Sequence, residues 1–82
     1  MREETMETIA SEIWEKAHQE NLHQHINRIT GKSFRTSNAC ILYVITESTE
    51  STEAIESLIK ETAESWDAEL SKYEDGFELL FD

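Results

Sequence analysis

The side chains able to do chemistry in this 82-residue chain are three histidines, one cysteine and eighteen carboxylates. His18, His23 and His25 raise the question of a metal. On a continuous helix His18 and His25 share a face two turns apart while His23 points elsewhere, so no i,i+4 pair is offered to a zinc ion. Cys40 stands inside an apolar run, where a thiol reads as a small buried hydrophobe rather than a nucleophile. A single cysteine also leaves no intramolecular disulfide and no cysteine-rich zinc cluster. Acids on an exposed helix face lack the contrasting environments that make a general acid–base pair. No glycine-rich phosphate loop is present. These residues predict no catalytic centre, no metal site and no cofactor.

Charge remains as the informative chemistry. Eighteen Asp and Glu against seven Lys and Arg give a formal net charge of −11. Divided after Tyr43, the first part holds six acids and five bases, the second twelve acids and two bases. Such a C-terminal part repels DNA, RNA and anionic membrane and attracts basic protein surfaces.

The elements that position this charge follow from apolar spacing. Met6, Ile9, Ala10, Ile13, Trp14 and Ala17 form one stripe at helical period. The stripe breaks near Glu20–Asn21. Asn21 with Gln24 resembles a capping pair and predicts a second helix carrying Leu22, Ile26 and Ile29, closed by Thr30-Gly31. Phe34-Arg35-Thr36 reads as a short strand and Ser37-Asn38 as a turn. Ala39 to Ile45 is apolar on both faces and β-branched, a strand needing cover from helices, another sheet or a second subunit. Thr49 to Thr52 offers N-caps for a long helix from Thr52 to Glu74, with Ile55, Leu58, Ile59, Thr62, Ala63, Trp66, Leu70 and Tyr73 inward. Trp14 and Trp66 read as core residues. Asp75-Gly76 ends that helix, and Phe77 to Asp82 predicts a terminal strand in preference to a helical turn. No internal repeat is read. The expected fold is α+β, one domain over residues 1–82: an N-terminal helix or kinked pair, a small sheet, a long acidic helix and a last strand.

On that long helix Glu53, Glu56, Glu64, Asp67 and Glu74 lie opposite the apolar stripe and step along about 30 Å of axis. Glu47 and Glu50 extend the series upstream, and Asp75 downstream. A one-signed row of this kind costs stability by self-repulsion and resembles the charge spacing of a nucleic-acid edge. It predicts a partner-binding surface made of Glu47, Glu50, Glu53, Glu56, Glu64, Asp67, Glu74 and Asp75, facing a basic nucleic-acid-binding protein.

The run Tyr43-Val44-Ile45-Thr46-Glu47-Ser48, followed by Glu50-Ser51 and a helix bearing Ile55, Ile59 and Trp66, resembles a family of small acidic phage anti-CRISPR proteins that inhibit type II RNA-guided CRISPR nucleases. Tyr73-Glu74-Asp75 looks similar to an acidic cluster in that family. The resemblance spans Tyr43 to about Phe77 and needs gaps within the helix. Gly76 stands where the family continues with acids, and the long N-terminal helical region departs from its short helix and hairpin. The resemblance implies a DNA mimic that occupies the nuclease's motif-reading site, with Glu47, Glu74 and Asp75 as contacting acids. Two rival readings stand beside it: an acidic inhibitor of another DNA-acting enzyme, such as a uracil-DNA glycosylase, and a homodimeric structural or adaptor protein whose acidity serves solubility. All three expect no enzymatic activity, no direct contact with nucleic acid and no membrane association. The polar N-terminus, with no apolar signal-like segment, and the lone Cys40 set the expected location in the cytoplasm, and the resemblance implies that of a bacterial host.

Overall fold

The computed structural model describes residues 2–34, 38–46 and 52–82. Helix α1 (Arg2–Gln19) is followed by a 3-10 turn (His23–His25), strands β1 (Ile26–Ser33) and β2 (Cys40–Thr46), helix α2 (Thr52–Ser65), and strands β3 (Glu69–Tyr73) and β4 (Gly76–Phe81). The four strands form one antiparallel sheet in the order β1-β2-β4-β3. The architecture is α+β.

Spacing explains both helices. Ile9, Ile13 and Ala17 recur every four residues along α1, and all three are fully buried. Ile55, Ile59 and Ala63 do the same along α2, 46 positions later, again buried. Both helices terminate by one device. Leu22 N donates to Ala17 O at 2.7 Å and Asn21 N to His18 O at 3.1 Å; Ala68 N donates to Ala63 O at 2.8 Å and Asp67 N to Glu64 O at 3.3 Å. These are paired Schellman caps, each with a left-handed residue, Asn21 at φ 60° and Asp67 at φ 57°. Asn and Asp tolerate that conformation because their short polar side chains can satisfy the local backbone.

The chain is therefore a twofold-repeated α-β-β unit, which corrects the reading that no internal repeat is present. The inner strands meet across the Leu42↔Leu79 pair, flanked by Cys40↔Phe81 and Val44↔Phe77. All six are buried, and with the helical stripes they make a single core between the helices and one face of the sheet. Thr62 lies inside it with its hydroxyl donated to Leu58 O at 3.0 Å, so its burial leaves no unmet donor.

Two predicted helices are corrected. Residues 21–30 form no α-helix: after the single 3-10 turn His23–His25 the chain is a strand, whose register slips by one between Ile26 and Arg28, opposite Thr46 and Ile45. That bulge puts Ile26 and Ile29, three apart, on the same side of a strand, which imitates a helical period. Thr30-Gly31 is accordingly mid-strand rather than a helix cap. Helix α2 ends at Ser65, not Glu74, because Asp67 turns the chain into the β3–β4 hairpin. Strand β2 and the terminal strand stand where the spacing put them, within about a residue. Of the Phe34–Thr36 strand and the Ser37-Asn38 turn, residues 35–37 lie outside the described residues; Phe34 follows the end of β1 and Asn38 sits in a bend.

Candidate functional site

The predicted acidic surface is rearranged by this fold. Glu47 and Glu50 lie outside the described residues. Glu53 and Glu64 are exposed at the two ends of α2 and are separated by about 16 Å of helix rise. Glu56 is partly covered and accepts a hydrogen bond from Lys72 Nζ at 2.8 Å, a pairing between α2 and β3. Asp67 serves as the left-handed cap residue. Glu74 and Asp75 form the two-residue turn between β3 and β4. The 30 Å rod is thus two shorter segments: one on α2, the other at a hairpin tip. Thr46 N donates to Asp75 O at 2.9 Å, which sets that tip beside the end of β2.

A second row of carboxylates went unread in the sequence. On α1, Glu4, Glu7 and Glu15 are exposed along one stripe, with Thr8, Ser11 and half-buried Glu12 between them lining a shallow groove. The two helices pack side by side, and Trp66 Nε1 beyond the end of α2 donates to the Glu12 carboxylate on α1. Half of the eighteen carboxylates belong to the two helices, five on α1 and four on α2. Among the described residues the only side-chain ion pair is Lys72–Glu56. In a sum over the first 43 residues the α1 acids are offset by Arg2 and Lys16 of α1 itself, by Arg28 and Lys32 of β1, and by Arg35, which hides the row. The helical period of Glu4, Glu7, Ser11 and Glu15 was the signal that would have found it.

Comparison with protein-family models, curated proteins and solved structures found no match. The surface chemistry therefore stands on its own geometry.

Cys40 is fully buried in the core, its Sγ 3.9 Å from Asn38 O. His18 and His23 do not point apart as a continuous helix requires: the turn at Asn21 folds His23 back, and their rings stack at 4.0 Å. No helix among the described residues is long and apolar enough to cross a membrane.

The second exposed region is the face of the sheet away from the helices. Ile41, Tyr43 and Ile45 alternate with buried Cys40, Leu42 and Val44, are only half-covered, and belong to no part of the core cluster. Among the described residues, Leu80 and Tyr73 are the large apolar side chains most open to solvent. Tyr73 donates its hydroxyl to Glu78 Oε2 at 2.6 Å, and the hydrogen bond and negative charge of Glu78 hold the phenol above its ordinary pKa. Tyr43, Ile45, Tyr73, Asp75 and Glu78 surround a depression of about 390 Å³ over Gly76.

Proposed function

We propose that this chain acts by binding, its helical layer presenting carboxylates to the basic cleft of a nucleic-acid-binding protein and standing in for phosphates there. One observation carries the reading: Glu4, Glu7, Glu15, Glu53, Glu61 and Glu64 are exposed on two adjacent helices, and none of them is in an ion pair among the described residues. Like charges spaced three or four apart on a helix each cost about 0.2–0.5 kcal/mol, so the arrangement is retained against stability. A cleft built for phosphates recovers that cost, because the bound carboxylates displace its counterions into the solvent.

The narrower form of the proposal is an anti-CRISPR protein, encoded by a phage and acting in the cytoplasm of a bacterial host on a type II RNA-guided nuclease. It is supported by the resemblance from Tyr43 onward and by the bond from Thr46 to Asp75, which draws the Tyr73-Glu74-Asp75 tip next to the strand end that leads into Glu47. The test adds the purified chain to guide-loaded type II nucleases and, as a separate target, to uracil-DNA glycosylase, and measures duplex binding across a salt series. The expected result is loss of duplex binding with an inhibitor affinity that falls roughly a hundredfold between 0.05 and 0.2 M salt. Inhibition indifferent to salt contradicts mimicry; inhibition of the glycosylase alone contradicts the anti-CRISPR form.

A further inference from the structure

We infer that the uncovered face of the sheet is the contact surface for a second copy of this chain, packed face to face about a twofold axis parallel to the strands. The strand register decides this. It arranges the outward residues in three rows across the sheet: Lys32–Ile41–Leu80–Glu69, then Thr30–Tyr43–Glu78–Ser71, then Arg28–Ile45–Gly76–Tyr73. The β1 end of these rows is basic and the β3 end carries Glu69, with Glu74 and Asp75 beyond Tyr73.

A twofold axis along the strands lays each row over its own reverse, because it exchanges β1 with β3 and leaves position along the strand unchanged. Lys32 then faces Glu69 of the second copy, and Ile41 faces Leu80. Thr30 faces Ser71, and Tyr43 faces Glu78, which keeps one carboxylate oxygen for it while Tyr73 occupies the other. Arg28 lies over the Tyr73 ring, a cation–π pairing, and Ile45 fills the depression over Gly76. The alternative axis, perpendicular to the strands within the interface, stacks β1 on β1 and sets Lys32 and Arg28 against basic residues. Charge therefore selects one arrangement, and the roughly 30° crossing of aligned sheets is compatible with it.

Four strands about 4.8 Å apart and rows spanning some 20 Å give a patch on the order of 400 Å² in projection per copy. That is about half the roughly 800 Å² per partner of a standard stable interface, so the dimer is weak, reversible and concentration-dependent rather than obligate. The helical layers remain on the outside, and each dimer displays two acidic surfaces.

Sedimentation equilibrium on the whole chain tests the arrangement. Lys32→Glu and Glu69→Lys each weaken the dimer by about tenfold or more. The double exchange Lys32→Glu/Glu69→Lys returns it to within about threefold of the parent. Within one copy these side chains sit on opposite edges of the sheet, about 14 Å apart, so rescue reports a contact between copies. Ile41→Lys with Leu80→Lys gives a monomer with unchanged circular dichroism. A chain that stays monomeric at all concentrations overturns the inference. So does a dimer unmoved by the single changes, or a double exchange as weak as the singles.

Discussion

The first α-β-β unit and the second share their interior and differ on their surface. Ile9, Ile13 and Ala17 have counterparts in Ile55, Ile59 and Ala63, and the left-handed cap Asn21 has one in Asp67. The hairpins diverge. β1 carries Arg28 and Lys32 and no acid, and it reaches β2 through a longer connection. The β3–β4 hairpin closes in two residues, both acidic, and adds Glu69 and Glu78. Positions that fill the core are constrained alike in both units because they pack against one another in a single core. Positions on the surface are free to become basic at one edge and acidic at the other, and that asymmetry is what a partner can read.

The two glycines give the sharpest contrast between the units. A Cβ at Gly76 meets Val44 O at 2.1 Å on a backbone with φ of +157°, whereas one at Gly31 meets the flexible Met6 Sδ at 2.7 Å. Gly76→Ala is expected to cost about 4 kcal/mol and leave little folded protein, and Gly31→Ala about 1 kcal/mol, as read by urea denaturation. Equal costs would mean that the hairpins are not distinguished in this way. The interiors, by contrast, should respond alike: Ile13→Ala and Ile59→Ala each lose about 3 kcal/mol in the same measurement. A difference of more than about 2 kcal/mol between them breaks the equivalence of the units.

The caps predict a smaller and opposite effect. Asn21→Gly and Asp67→Gly each relieve a left-handed residue and raise stability by about 0.5–1 kcal/mol in thermal denaturation. Destabilisation by either change argues that the side chain, rather than the backbone, holds that turn. The smallest effect belongs to the acidic hairpin alone. Tyr73 is held above its ordinary pKa of 10.0, chiefly by its hydrogen bond to Glu78. The folded chain binds that proton more tightly than the unfolded one, so the contribution is full below pH 10 and is lost as pH rises through the raised value. Titration of the phenolate absorbance should show one tyrosine ionising late, and Glu78→Gln should return it toward the ordinary value.

Much of this was legible in residue spacing. The stripe of α1, the two-faced strand at Cys40–Thr46 and the terminal strand all follow from single periods that tertiary contacts leave unaltered. What failed has a physical cause in each instance. The bulge at Ile26–Arg28 gave a strand the spacing of a helix. Asp67 as a left-handed cap carries no glycine to announce it, so Leu70 and Tyr73 continued a helical count that the chain had already abandoned. The acids of α1 are diluted in any sum of charge along the sequence, because the fold groups charge by layer. The rows across the open sheet depend on register between strands distant in sequence, which no local period encodes.

The uncompensated carboxylates of the helical layer are the claim on which the functional account rests. Replacing Glu7, Glu15, Glu53 and Glu64 together by Gln removes four exposed charges without changing a core residue or the left-handed cap residues Asn21 and Asp67. The measurement is competition with duplex DNA for a guide-loaded type II nuclease, alongside circular dichroism to establish that the fold is intact. The account predicts that the variant remains folded and no longer displaces DNA. Undiminished displacement by the folded variant would contradict it.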